Sequence, residues 1–451
     1  MNNILDKEIN SNYSYSLNKI KNKTAKVGVI GLGYVGLPLL CMASKAGYFV
    51  IGYDIDQLKI NNLARGKSLL TTVSTQTILE IINQQKYVFS ANEQILNQAD
   101  IIIICVPTPV TKNYNPDILH IQNAVDAIRK VIKCGQLIIL ESTTYPGTTA
   151  EILSATFQKH GFTIGCNLFI AYSPEREDPG NKEYYTSSIP KVVGADDQNS
   201  LNLALTFYGN LVTEVVKVTS TKVAETVKLT ENIFRLVNIS LINELKLIYS
   251  KMGIDIWEII AAAKTKPFGY MPFYPGPGIG GHCIPVDPFY LSWKAKEFNC
   301  ESKFIEVSKK ILNLMPKYVI LRLQDELFQR MKILKNSRIL ILGVAYKENI
   351  GDYRESPALK IINHLLKEKA VVDYHDKYIN AQALNKLYKN NNVRSIELLP
   401  VNFSIYDAVI ICTKHDNNID YKQILLTAQL VLDTRNAIPD NGEKLPNLAK
   451  A

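Results

Sequence analysis

Lys26-Val27-Gly28-Val29-Ile30-Gly31-Leu32-Gly33-Tyr34-Val35-Gly36 is the stretch that decides the fold. A short, mostly apolar run makes a strand, and Gly31, Gly33 and Gly36 follow at the G-x-G-x-x-G spacing of a phosphate-cradling turn. Residues 37–46 then carry apolar side chains at helical spacing, and a second strand over 49–53 ends at Asp54. The three glycines have separate tasks: a tight turn, close approach of backbone to a pyrophosphate, and packing of helix on strand. The phosphates of a dinucleotide would rest on the helix N-terminus, with Tyr34 and Val35 between the glycines. Asp54, roughly 20 residues past the last glycine, is placed to accept from the adenosine ribose. With Asp56 close behind it a 2′-phosphate is repelled, so NAD is expected rather than NADP.

Further strands are read over 100–106, 137–140 and 168–172. They end in Pro107-Thr108-Pro109, in Glu141-Ser142-Thr143-Thr144 and in Ser173-Pro174-Glu175-Arg176-Glu177-Asp178-Pro179-Gly180. Ligands of doubly wound sheets lie at such carboxyl ends, which makes Thr143, Glu175 and Arg176 candidates. Thr148 with Glu151 reads as a capping box.

The plan then repeats. Residues 338–343 are a strand and 358–367 an amphipathic helix. Val371-Val372-Asp373-Tyr374-His375-Asp376 echoes Val50-Ile51-Gly52-Tyr53-Asp54, and 406–412 echoes 99–105. Val344-Ala345-Tyr346 stands where the glycine turn would be, so the second domain is expected to bind something other than a dinucleotide. Between the two, residues 220–251 form one long helical pattern without Gly or Pro. The expected architecture is α/β: two Rossmann-like doubly wound parallel-sheet domains joined by a long central helix with a helical middle domain. The expected limits are a flexible tail over 1–24, a dinucleotide domain over 25–215, a middle domain over 216–330 and a second Rossmann-like domain over 331–451.

Composition excludes several classes. In 451 residues, 47% hydrophobic and 21% charged side chains describe a folded chain whose apolar runs are too short to span a bilayer. No signal-peptide pattern opens it. The net charge of +9 is dispersed, with no basic run interleaved with aromatics, which argues against nucleic acid. Seven cysteines without a spacing pattern point to a reducing, cytoplasmic setting rather than a disulfide framework. The six histidines show no paired metal-ligand spacing, and no metal is expected.

One cysteine differs from the rest. Phe273-Tyr274-Pro275-Gly276-Pro277-Gly278-Ile279-Gly280-Gly281-His282-Cys283 puts a thiol in a loop that cannot build a core. Gly280 and Gly281 are expected to let substrate and backbone approach closely. Backbone N–H groups there could stabilise an oxyanion. Asp287-Pro288 starts a helix through 294 as cap and first-turn proline, and its carboxylate could also activate water. Lys228 and Asn232, four apart on the long helix, share a face and could stabilise developing charge. A hydride acceptor and a nucleophilic thiol in one chain imply oxidation through a covalent acyl-enzyme.

These motifs, in this order, resemble the UDP-glucose/GDP-mannose dehydrogenase family from about residue 25 to about 439. The resemblance includes Lys228-Leu229-Thr230-Glu231-Asn232, the Gly280–Asp287 run and Tyr346-Lys347 through Asp352-Tyr353-Arg354-Glu355-Ser356-Pro357. It implies oxidation of a sugar C6 alcohol to the carboxylate with two NAD, through a thiohemiacetal and a thioester on Cys283. Lys228 and Asn232 would stabilise the oxyanions, Asp287 would assist water, and Thr143 and Glu175 would position water and substrate. Cofactor contacts would come from Gly31, Gly33, Tyr34, Val35, Gly36, Asp54, Pro107, Thr108, Thr143 and Arg354, the arginine across a subunit boundary. Sugar-nucleotide contacts would come from Glu175, Arg176, Lys228, Asn232, Phe273, Tyr274, Gly278, Gly280 and Lys347. UDP-glucose enzymes carry a second glutamate where Pro179 stands, so the resemblance favours UDP-GlcNAc, with UDP-ManNAc, UDP-GalNAc and UDP-glucose as alternatives. It further implies a homodimer or higher homo-oligomer that serves surface-polysaccharide (O-antigen or capsule) biosynthesis. A two-electron hydroxyacid-type dehydrogenase is the rival enzyme, and it would need neither Cys283 nor a second α/β domain.

Overall fold

The structure is a computed structural model. It describes residues 2–70, 73–111, 113–177, 187–388, 393–398, 403–415, 419–439 and 445–451. The chain divides into two compact units, one from residues 1–231 with 289–300, the other from 232–288 with 301–451.

The first unit is built on an eight-stranded sheet. Its strands are β1 (Lys26–Ile30), β2 (Phe49–Tyr53), β3 (Tyr87–Ser90), β4 (Ile101–Ile104), β5 (Leu137–Leu140), β6 (Phe169–Tyr172), β7 (Lys191–Gly194) and β8 (Val215–Val218). Their order is β3-β2-β1-β4-β5-β6-β7-β8. All neighbours are parallel except β6 and β7. The chain reverses direction across the sheet between β1 and β4, where doubly wound folds open a ligand crevice. Strands β4 and β5 read Ile-Ile-Ile-Ile and Leu-Ile-Ile-Leu and are wholly buried, because both faces of the sheet are covered. Each such side chain contributes about 1.5–3 kcal/mol by leaving water.

The second unit carries β9 (Arg338–Leu342), β10 (Val371–His375), β11 (Val393–Ser395), β12 (Ala408–Ile411), β13 (Val431–Asp433) and β14 (Leu448–Lys450). These are parallel throughout and ordered β11-β10-β9-β12-β13-β14. The long helix spans Thr221–Lys251, as its pattern predicts. No helix among the described residues is long and apolar enough to cross a membrane.

The expected flexible tail is corrected. Asn2–Lys21 is a helix, with Ile20 buried in the first unit's core and Tyr13 and Leu17 packed against that core. These three stand at i, i+4 and i+7, a helical stripe hidden by a polar composition. Ser16 Oγ donates to Gly135 O at 2.6 Å, and Lys19 pairs with Asp100 at 2.8 Å.

Candidate active site

The glycine turn is held by contacts that only glycine allows. Gly31 has φ +88°, and a Cβ there would lie 2.6 Å from Cys105 O. A Cβ on Gly36 would lie 1.9 Å from Gly31 O. A Cβ on Gly33 would meet nothing within 4 Å, so that glycine faces open space. No side chain caps the helix Gly36–Lys45 at Val35, and Leu37 N donates to Gly33 O at 3.1 Å. Asp54 is buried at the end of β2 and accepts from Leu32 N at 2.8 Å and Asp56 N at 3.0 Å. Lys59 Nζ pairs with it at 2.5 Å. An uncapped helix start, an open glycine and an acid at the second strand fit a dinucleotide. Asp56, just behind it, caps the helix Gln57–Ala64 through Leu58 N and Lys59 N.

Pro107 and Thr108 lie past β4, where Tyr290 Oη donates to Thr108 O at 2.9 Å. Ser142 Oγ bridges Val106 N and Val106 O, which ties the ends of β4 and β5 together beside a part-exposed Thr143. Thr148 caps nothing: its hydroxyl turns to Thr144 and to Tyr145 O, while Glu151 pairs with Lys294. Glu225 from the long helix supplies the missing acceptors, taking Thr149 N at 2.8 Å and Thr149 Oγ1 at 2.7 Å.

Glu175 follows β6. Lys191 Nζ reaches it at 3.0 Å, and Arg176 N and Glu177 N each donate at 2.7 Å. Lys191 outweighs the cost of burial and holds Glu175 below its ordinary range, with Lys228 adding to the effect. Arg176 is spent on Pro190 O and Glu231, at 2.7 Å each. Asp178, Pro179 and Gly180 lie outside the described residues.

In the second unit, Cys283 O accepts from Val286 N at 3.1 Å and Asp287 N at 2.8 Å, a tight turn that opens the helix Asp287–Ala295. Asp287 is buried, and Asn232 Nδ2 donates to it at 2.6 Å while Arg235 holds Asn232 Oδ1. Cys283 is part-exposed. The buried thiols are a different population: desolvation pushes Cys41 and Cys412 up to about 12, which leaves them inert.

Gly280 and Gly281 make room for another part of the chain. Their Cβ atoms would lie 2.5 Å from Tyr346 Cβ and 2.9 Å from the Tyr346 ring, and Gly281 N donates to Arg354 O at 2.9 Å. Gly278, at φ +136°, packs on Pro357. Arg354 clasps Asp352 with both Nε and Nη2 and lies 3.2 Å from His282 Nδ1. Lys347 is part-exposed on the same segment. Phe273 packs edge-on to Phe234, and Tyr274 stacks on Trp257.

The sequence reading missed the buried Lys191 and Lys246 and the half-buried Arg435. Among the described residues Lys246 Nζ has no hydrogen-bond partner, and burial with Arg435 nearby pushes it down to about 7. Arg435 donates to Cys412 O at 3.0 Å, and its Nη1 lies 2.4 Å from where a Gly276 Cβ would be. On the long helix Lys246 looks like any solvated lysine, so no local signal marks it.

A dinucleotide turn on one doubly wound sheet, and a second such sheet beside a part-exposed loop cysteine, define an NAD-dependent dehydrogenase of two nucleotide-binding domains. The chain belongs to the UDP-glucose/GDP-mannose dehydrogenase family. It matches the family's NAD-binding domain over residues 25–212, its central domain over 222–313 and its UDP-binding domain over 340–440. It is 35% identical to a UDP-N-acetyl-D-glucosamine 6-dehydrogenase of Pseudomonas aeruginosa, over 87% of this chain and 91% of that protein. A UDP-N-acetyl-D-mannosamine dehydrogenase of Methanococcus aeolicus is 33% identical over 94% of each. The solved UDP-D-ManNAc dehydrogenase of Pyrococcus horikoshii has a TM-score of 0.85 at 29% identity, covering 94% of this chain and 98% of that one.

Proposed function

We propose that this enzyme oxidises the C6 alcohol of UDP-N-acetylglucosamine to the carboxylate, in two successive two-electron steps. The observation that carries the reading is the turn at Cys283, closed onto Asp287, whose carboxylate Asn232 holds in place. NAD, bound at the glycine turn, supplies the hydride acceptor for both oxidations. The Cys283 sulfur adds to the C6 aldehyde and the oxygen takes up a proton, giving a thiohemiacetal. Loss of hydride and proton from that adduct gives a thioester. Water then attacks the thioester carbonyl, the C–S bond breaks and the thiol returns. Asp287 takes the proton of that water. Lys228, one helical turn before Asn232 on the same helix, supplies positive charge where oxygen becomes anionic. Thr143 and Glu175 position water and substrate. The buried Lys246 and half-buried Arg435, with Asp433 acting on both, suit the diphosphate.

The P. aeruginosa relative favours the N-acetylglucosamine sugar. The mannosamine-specific relative and structural neighbour make UDP-N-acetylmannosamine the second reading. The product, a nucleotide-activated uronic acid, suits sugar transferases of surface-polysaccharide assembly, and dependence on NAD with seven free cysteines suits the cytoplasm. A homodimer is expected through the long helix, where Phe234, Leu241 and Ile248 repeat every seven residues at 49%, 48% and 48% exposure.

NADH formed per mole of sugar nucleotide tests the reading, with UDP-GlcNAc, UDP-ManNAc, UDP-GalNAc and UDP-glucose compared and Cys283→Ser alongside. Two NADH with UDP-GlcNAc, and lost turnover in the variant, support it. Two NADH with another sugar only would overturn the substrate. One NADH, indifferent to Cys283, would overturn the mechanism.

A further inference from the structure

The sheet of the first unit changes direction at β7, and that reversal delivers a charge. The antiparallel pairing of Tyr172 with Gly194, continued by three residues, sets Glu175 opposite Lys191. A parallel β7 would carry its first residue to the far edge of the sheet. Lys191 is buried, yet its ammonium lies 3.0 Å from Glu175 Oε2 and 3.0 Å from Glu141 Oε2. Glu141 closes β5, and its other oxygen accepts from Tyr208 Oη. The second oxygen of Glu175 is filled by two backbone N–H groups.

We infer that Lys191 is a positioning residue that keeps Glu175 an oriented, unprotonated carboxylate at the ligand edge, so that Glu175 accepts a hydrogen bond there and does not act as a proton donor. This rests on the assignment of Glu175 to the site. Among the described residues, the groups that act on Glu175 are Lys191 from β7, Glu141 after β5, Lys228 from the long helix, the Arg176 and Glu177 N–H groups beside it, and Cys105 after β4, while Glu231 of the long helix pairs with Arg176. Burial keeps the Cys105 thiol neutral, so it adds no charge. Lys191 is the hydrogen-bonded cation among them, and a carboxylate that loses such a partner while staying buried titrates about 1–3 pH units higher.

The test is the pH profile of kcat/KM for wild type, Lys191→Met, Lys191→Arg, Glu141→Gln and Glu175→Gln, with the NAD dissociation constant measured on each. Lys191→Met is expected to move the acid limb up by about 1–3 pH units with NAD affinity unchanged. Lys191→Arg restores the limb, and Glu141→Gln, which removes the competing acid, does not raise it. A purely structural lysine would give Lys191→Met lower activity with the limb in place, and that result overturns the inference. Should Lys191→Met fail to fold, the double variant Glu175→Gln with Lys191→Met removes both charges. It is expected to lose no more kcat/KM than Glu175→Gln alone, and a further loss of tenfold or more overturns the inference. Full activity in Glu175→Gln would instead remove the assignment of Glu175 itself.

Discussion

The two sheets begin alike and part at the turn after the first strand. In each, an acid at or just past the end of the second strand reaches back to backbone N–H groups: Asp54 to Leu32, and Asp376 to Val344 and Ala345 at 2.7 and 2.8 Å. Each turn starts on a glycine in the left-handed region, Gly31 at φ +88° and Gly343 at φ +80°. Beyond that point the first sheet enters an uncapped helix at once. The second runs through a longer segment to Pro357–Lys367, a helix whose N-terminus Ser356 closes through Ala358 N. A capped start has no donors left for a phosphate, whereas an open one is an anion site. The longer segment has other work, since Tyr346 and Arg354 are what the Cys283 loop packs on. One topology therefore serves two purposes, and the difference lies in who satisfies the first turn of a helix.

Several substitutions would break or sharpen that contrast. The largest effect is expected at Gly36→Val, whose side chain has no space beside Gly31 O. NAD binding should be abolished in calorimetric titration, with a large drop in Tm. Gly280→Ala should come next, since its Cβ collides with Tyr346 and overpacking costs about 1–3 kcal/mol. It should cut kcat steeply while the NAD dissociation constant stays put, and an unchanged kcat would show that the 346–356 segment does not hold the cysteine loop. Asp54→Asn should weaken NAD by roughly tenfold, about 1.4 kcal/mol, whereas Asp376→Asn should leave NAD affinity alone and lower Tm.

Lys246→Met should raise stability by about 1–3 kcal/mol, because it removes a buried charge with no hydrogen-bond partner among the described residues, and should weaken UDP binding. The sign with pH follows from a folded value near 7, below the ordinary 10.5. The stability tied to this lysine is present above pH 10.5 and is lost as pH falls toward 7. Without ligand, wild type should gain Tm between pH 7 and 9 relative to Lys246→Met, and parallel curves would refute the burial argument. The smallest effect is expected at Ser356→Ala, where loss of the cap costs about 1 kcal/mol of stability and nothing in NAD affinity.

Sequence patterning was a good guide wherever the physics is local. The strands at 26–30, 49–53 and 137–140, the helix from Asp287 and the long helix all follow from short apolar periods and caps. It misread residues 1–24, where three apolar side chains among polar ones were enough to dock a helix. It expected close approach at Gly280 and Gly281 without naming the neighbour, which the fold shows to be Tyr346. A glycine reports that something must come near, and says nothing of what.

From the chain alone came the class of chemistry: a dinucleotide turn, an acid to read the ribose, and a loop thiol set apart from the buried ones. These are fixed by residue types at short, regular spacings, whose geometry the backbone imposes by itself. Only the tertiary structure decided which charges count. The Lys191 bridge depends on a strand that runs backwards, and the buried Lys246 depends on Arg435 nearly two hundred positions away. Burial and long-range pairing set the energy of a charge, and neither is written in the neighbours along the chain.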